Sequence, residues 1–299
     1  MSQFRHSAYL DELDDACRRL TTLRKYGRNL TQLAAQQKLP KCYAREAEIE
    51  FIQINRNRIT KPNILLLGPS GCGKTAIVEG LAQYMEQALY EKWSKKQDVE
   101  VTSETPLVFE LSPVNLIGGT NYRGSFEERV QQIMEEAGHF GRRVILFFDE
   151  IHSMVTMGKT STDDGMGLGD ILKPALARGE FILIGSTTQD EYDKYLKKDA
   201  ALVRRFNVLT VGAIDRDKRV ECALKILADF SEKHEIPFCC ENTVLESYLE
   251  GVLDKTFLDT SFPCEFTDAV DFMFAKAKYE HIEQLGLSQL REVLSKLRF

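Results

Sequence analysis

The sequence predicts an α/β fold, with a parallel five-stranded sheet followed by a smaller all-helical unit, and three observations predict it. Short apolar runs alternate with segments of helical periodicity as far as about residue 212. The runs are apolar at nearly every position, as strands of a parallel sheet covered on both faces are. Beyond that point the apolar runs stop while helical periodicity continues, so a second, strand-free unit follows. A chain of 299 residues, 43% hydrophobic and 28% charged, has the size and composition for two such units.

Taken in order, residues 1–28 read as a separate helical extension, with Leu10, Leu13, Cys17 and Leu20 on one stripe. Residues 29–212 carry the expected strands Asn63 to Leu67, Leu107 to Leu111, Val144 to Phe148, Phe181 to Ile184 and Asn207 to Val211. Between the second and third lies GGTNYRGSFEERV. Ser125 and Glu128 have capping-box spacing there, and Phe126, Val130, Ile133, Met134 and Ala137 recur along one helical face. Residues 213–299 form the helical unit, through DKRVECALKILADFSEKH, ENTVLESYLEGVL and FTDAVDFMFAKAKYEHIEQL. No internal repeat or low-complexity linker interrupts the chain.

Composition excludes several classes. The seven cysteines are an odd number without a C-x-x-C pair, and the opening MSQFRHSAYLDELDD is acidic where a signal peptide would be apolar. A reducing, cytoplasmic compartment is therefore expected, with Cys239 and Cys240 as incidental thiols. No stretch has the length of a membrane span. A formal charge of −6 gives no general basic footprint for nucleic acid, and the local runs Arg142-Arg143 and Lys194 to Lys198 read as solvated faces.

The strongest motif is GPSGCGKT, which follows the strand NILLL and opens the helix TAIVEGLAQYMEQAL. That context defines a P-loop NTPase. The backbone of Pro69, Ser70, Gly71, Cys72 and Gly73 curls around phosphate oxygens, Lys74 reaches the terminal phosphates, and Thr75, next to Ala76, supplies a hydroxyl to magnesium. ATP or ADP with Mg2+ is the implied cofactor. The loop alone does not separate a kinase from a switch or a motor. VILFFDE begins to, because a buried strand ends in two carboxylates on the sheet edge that carries the loop. Asp149 then holds magnesium while Glu150 orients and deprotonates the attacking water, a group that a small-molecule kinase does not need.

From Tyr26 to about Lys278 the chain resembles the first nucleotide-binding module of the Clp-family ring chaperones and unfoldases, which are AAA+ ATPases. The resemblance rests on YGRNLTQLA, AREAEIE, GPSGCGKTAIVEGLAQ, GTNYRGSFEER, ILFFDEIH, LKPALARGE, IGSTTQDEYDKYLKKDAALVRRF and a weaker FPCEFTDAVD. It implies an AAA+ large subdomain with a helical lid. It makes Thr188 the sensor of the terminal phosphate and Arg204 and Arg205 the fingers that enter a neighbouring subunit's site, so self-association into a ring, a hexamer, is expected. It puts Cys42 and Tyr43 beside the nucleotide. Tyr122 aligns with the aromatic of the axial pore loop, which grips an extended polypeptide between the mobile glycines Gly118, Gly119 and Gly124. MGKTSTDDGMGLGD matches the second pore loop.

The chain also departs from the family pattern. It is expected to lack the recruiting N-terminal domain, the coiled-coil insertion and the second ATPase module. Asn121 replaces a basic residue before the pore tyrosine, Ala44 replaces a glycine near the adenine, and Cys264 and Glu265 replace an acidic-basic pair. Two functional readings stay open: an ATP-hydrolysing ring that remodels or translocates protein, and a nucleotide-dependent assembly or adaptor protein that binds a partner. A DNA-handling loader lacks the basic domain and has the wrong pore-loop signature.

Overall fold

The computed structural model describes residues 2–95, 105–117, 123–156, 168–257 and 262–296. Tyr122, Gly118, Gly119, Asn121 and residues 157–167 of the expected second pore loop lie outside them. The central sheet has six strands in the order β1-β3-β4-β5-β2-β6. They are β1 (Arg28–Asn29), β2 (Asn63–Leu67), β3 (Leu107–Leu111), β4 (Val144–Phe148), β5 (Ile182–Thr187) and β6 (Phe206–Thr210). The last five are parallel, and β1 adds an antiparallel edge by pairing Arg28 with Glu110.

β2 to β4 fall where their apolar runs are, and β2 and β4 are buried at every position. β5 runs three residues past the expected end at Ile184 because Gly185, Ser186 and Thr187, though not apolar, stay in the ladder beside β2. Gly185 is small for a reason: a Cβ there would stand 2.9 Å from Ile151 Cδ1. The two-residue β1 carries no apolar run and is held by Arg28, whose guanidinium bonds Glu110 at 2.9 Å and Glu79 at 3.0 Å. The helix expected from a cap at Ser125 begins at Arg123, so Ser125 lies in its first turn.

The chain separates into two units. The first takes Met1–Cys42, Ala47–Gly68 and Lys74–Thr210; the second takes Tyr43–Glu46, Pro69–Gly73 and Val211–Phe299. The N-terminal residues, expected to stand apart, belong to the first. Helices Ser2–Cys17 and Thr21–Tyr26 send Tyr9, Leu13, Cys17, Leu20 and Leu23 into the same core as Leu107, Phe109, Ile133 and Phe148. A lone apolar stripe shows that a helix packs, not what it packs against. Two polar contacts fix this segment further: Glu136 accepts the Thr22 and Leu23 amides at 3.0 and 2.7 Å, and Trp93 Nε1 donates to Glu12 at 3.1 Å. Arg142 and Arg143 are not simply a solvated face, since Arg142 donates to the Arg58 and Ile59 carbonyls and Arg143 to that of Thr105.

The second unit contains helices Arg216–His234, Asn242–Thr256, Cys264–Tyr279 and Leu287–Lys296. Its core gathers Ile226, Leu249, Val270, Phe274 and Leu290, with Phe257, Phe262 and Phe266 packed ring against ring. Arg219 is buried in it and satisfied by the Ile214 carbonyl at 3.1 Å and Asp254 at 3.2 Å. All seven cysteines are free thiols, and among the described residues no helix is long and apolar enough to cross a membrane.

If the N-terminal helix is part of the core, Leu13→Ala should lower stability by about 3 kcal/mol, as deletion of a buried leucine does. Urea unfolding followed through Trp93, the single tryptophan, measures this. An unchanged midpoint would show that residues 2–17 do not pack on the sheet.

Candidate active site

Parallel register collects the site on one sheet edge. Leu67 pairs with Thr187, and Phe148 with Gly185, so the carboxyl ends of β2, β4 and β5 stand side by side. The first residue of the phosphate loop is tied to this edge, Gly68 N–H donating to the Thr187 carbonyl at 3.2 Å. Gly71 and Gly73 have φ of 77° and 92°, a left-handed backbone that glycine adopts without a Cβ clash. The helix Lys74–Ser94 then opens, and its first unpaired amides make the end of the loop an anion site. Lys74 Nζ donates to the Gly68 carbonyl at 2.8 Å. Pro69 and Ser70 are exposed, Ala76 is half-buried, and the Cys72 side chain is 1% exposed, its thiol turned away from solvent.

Asp149 is held on both oxygens. Thr75 Oγ1 donates to Oδ2 at 2.9 Å, and Ser186 Oγ donates to Oδ1. The same Ser186 oxygen accepts the Glu150 amide at 3.0 Å. Glu150 has φ of 52°, an uncommon left-handed position for a side-chain-bearing residue, and its exposed carboxylate makes no hydrogen bond among the described residues. The pair Thr75 and Asp149 offers hydroxyl and carboxylate oxygens side by side, the hard donors that magnesium takes. Among the described residues no cluster of three or more His, Cys, Asp or Glu could hold a metal. Ser186 was missed by sequence reading; its signal was a polar residue continuing the strand period between Ile184 and Thr188.

Thr188 follows β5 and forms a capping box with Glu191 at the helical turn Gln189–Glu191. Its hydroxyl donates to Glu191 Oε2 at 2.8 Å and its amide to the same oxygen at 3.1 Å. Burial opposes the charge on Glu191, but these hydrogen bonds from Thr188, with His152 near, hold its carboxyl below the usual range.

Of the residues expected beside the nucleotide, Cys42 packs on the phosphate-loop helix, where a Cβ on Gly80 would meet Cys42 Cβ at 2.6 Å. Tyr43 donates its hydroxyl to Asp229 at 2.7 Å, and burial together with that carboxylate raises the phenol's pKa. Ala44 has φ of 55°, which accounts for glycine being the easier residue there. Arg45, also missed as a site residue, is 4% exposed and donates to the carbonyls of Cys72 at 2.7 Å and Gly212 at 2.9 Å. It thereby fixes the backbone of the phosphate loop.

Arg204 and Arg205 lie elsewhere. They precede β6, and Phe206 pairs with Asn63 at the amino end of β2. With about 3.3 Å per residue in a parallel strand, roughly 20 Å separates Arg205 from the edge that carries Gly68. Arg204 Nε donates to the Ala200 carbonyl at 3.0 Å and Arg205 to that of Ala201. Neither forms an ion pair among the described residues.

Residues 64–211 match the family model described as "ATPase family associated with various cellular activities (AAA)". The chain therefore carries an AAA domain over residues 64–211. It is similar to the chaperone protein ClpB of Staphylococcus aureus (strain COL), with 42% identity over 260 residues, 86% of this chain and 28% of the relative. Among solved structures it is similar to Hsp104 in a closed-state complex with ATPγS and FITC casein. There the TM-score is 0.73 and the identity 28%, over 92% of this chain and 45% of that one. The Saccharomyces cerevisiae Hsp104-ADP complex gives 0.69 and 29%, over 92% and 45%. The chain thus spans less than half the length of each of these proteins.

If Lys74 serves phosphate and Glu150 the attacking water, Lys74→Ala should abolish nucleotide binding, whereas Glu150→Gln should retain binding and lose turnover. Equilibrium binding of a fluorescent nucleotide beside steady-state phosphate release checks this, and equal loss of binding in both variants refutes the division of labour.

Proposed function

We propose that the chain is an ATP-hydrolysing AAA module that assembles into a ring, a hexamer, and remodels or translocates protein substrates. The observation that carries this reading is the pairing of Asp149 with Thr75 beside an uncommitted Glu150, all on the edge that holds the phosphate loop. Thr75 and Asp149 would hold Mg2+, which when bound neutralises phosphate charge. Lys74 and the backbone amides from Ser70 to Ala76 bind and orient the phosphates. Glu150 takes a proton from the attacking water, and Ser186 holds the Asp149 carboxylate and the Glu150 backbone amide through its hydroxyl. Thr188 reads the terminal phosphate. Cys42 and Tyr43 flank the nucleotide.

The position of Arg204 and Arg205 supports assembly. From the amino edge of the sheet they do not reach the phosphates of their own chain, so the charge they offer a phosphoryl transition state goes to a neighbouring copy. Such arginines contribute ~10³ to 10⁵ in rate. The Hsp104 structure with FITC casein supports protein as the class of substrate, and Tyr122 is the residue proposed to touch it.

Specific activity should therefore rise with protein concentration, and the double variant Arg204→Ala, Arg205→Ala should bind ATP normally yet hydrolyse it about a thousandfold more slowly or worse. Turnover independent of concentration, in a protein that sediments as a monomer, would rule assembly out. For the pore residue, Tyr122→Ala should keep basal turnover within about twofold and lose stimulation by an unfolded protein, while Tyr122→Phe keeps both, because the ring face makes the contact. Stimulation intact in Tyr122→Ala, or a marked fall in its melting temperature, sinks the pore reading.

A further inference from the structure

The end of β5 holds a cluster of which the hydrolytic scheme uses only Thr188. One oxygen, Glu191 Oε2, lies 2.8 Å from Thr188 Oγ1, 3.1 Å from Thr188 N, 3.4 Å from Thr187 Oγ1 and 3.2 Å from His152 Nδ1. Thr187 Oγ1 is in turn 3.2 Å from His152 Nδ1. The imidazole is nearly buried and lies parallel to the Tyr195 ring, with centroids 6.0 Å apart and planes 17° apart. Tyr195 belongs to the single π turn Tyr192–Leu196, and such turns recur at functional positions. His152 sits two residues after Glu150, on the helix Ile151–Thr156. The cluster therefore joins the segment that carries the water-activating carboxylate to the segment that carries Thr188.

A threonine hydroxyl has one proton to donate. In this structure that proton goes to Glu191, so it is not simultaneously available to a terminal phosphate oxygen. The two acceptors are mutually exclusive. The carboxylate can release it at low cost, because Thr187 and His152 are both placed to donate to the same Oε2, with the ring hydrogen on Nδ1.

We infer that Glu191 is a latch on Thr188: a positioning residue that occupies the phosphate-reading hydroxyl until a terminal phosphate competes it away, with His152 and Thr187 remaining beside the freed carboxylate. The inference rests on Thr188 being the group that reads the terminal phosphate. Glu191 then sets how strongly the site prefers a triphosphate over a diphosphate, since it weakens binding only of the nucleotide that needs the Thr188 proton. A carboxylate that merely capped the turn would affect both nucleotides alike.

The test is the ratio of affinities for ATPγS and ADP, measured by competition against a fluorescent nucleotide. Glu191→Ala should raise the preference for ATPγS about tenfold, the scale of one hydrogen bond to a charged group. Glu191→Gln, which keeps a neutral acceptor and still supports a capping box, should raise it less and guards against misfolding of the alanine variant. With Thr188→Val as background, Glu191→Ala should leave the ratio unchanged. An equal change in both affinities, or the same tenfold shift in the Thr188→Val background, overturns the latch. Phosphate release measured on the same samples keeps the two readings apart. A wild type that binds nucleotide without turnover counts against the hydrolase reading, while the affinity ratio still decides the latch.

Discussion

Both oxygens of the Asp149 carboxylate are gripped, by Thr75 from the phosphate-loop helix and by Ser186 from β5, and the geometry of the site follows from that grip. The grip exists because β2, β4 and β5 run parallel and in register, so that a helix opening after β2 meets a carboxylate ending β4 and a hydroxyl late in β5. Ser186 passes the constraint on, since its oxygen also accepts the Glu150 amide. The backbone at Glu150 turns into the left-handed region in consequence, a conformation that costs on the order of 1–2 kcal/mol for a residue with a Cβ. The strain leaves the Glu150 carboxylate exposed while Asp149 stays engaged. One hydroxyl thereby engages the carboxylate of Asp149 and only the backbone amide of Glu150.

Much of this was legible in the sequence, for identifiable reasons. Strands β2, β3 and β4 were readable because they are apolar at nearly every position and lie between helical segments. The phosphate loop was readable because only glycine tolerates the conformations at Gly71 and Gly73. What sequence reading lost were features held by polar or small residues. Gly185, Ser186 and Thr187 continue β5 without apolar side chains, Arg28 fixes a two-residue edge strand through two glutamates, and Arg45 reaches the Cys72 carbonyl across 27 positions of chain. Local periodicity carries no record of such contacts. The N-terminal helix failed differently, since its stripe was seen and only its partner, the sheet's own core, was not.

Conformational cost also explains one departure from the family pattern. Ala44 takes φ of 55°, so alanine here accepts a strain that glycine would avoid. Its neighbours hold it there. Tyr43 is anchored to Asp229, which also pairs with Lys233 at 2.7 Å, and Arg45 is anchored to two backbone carbonyls. A residue clamped on both sides is over-determined, which is the condition under which strained backbone persists.

The chain between Thr188 and Arg204 has a further role in this arrangement. It leaves the carboxyl edge of the sheet at Thr188, returns to the amino edge at Phe206, and is short and irregular throughout: a three-residue turn, one π turn and the helix Ala200–Val203. The first and last pieces are fixed at their starts by caps, Thr188 with Glu191 and Asp199 accepting the Leu202 amide at 3.1 Å. Lys173 pins the middle from the helix Leu168–Arg178, bonding Asp199 at 2.7 Å and Asp170 at 2.9 Å. A regular helix of the same length would cross the sheet as a rigid rod. Capped fragments instead place their few fixed points at Thr188, at Asp199 and at the start of β6, so Thr188 on one edge and the arginines on the other are joined by a segment with defined ends, bonded turn by turn as Tyr192 N–H donates to the Thr188 carbonyl, Lys197 N–H to that of Tyr192 and Asp199 N–H to that of Leu196.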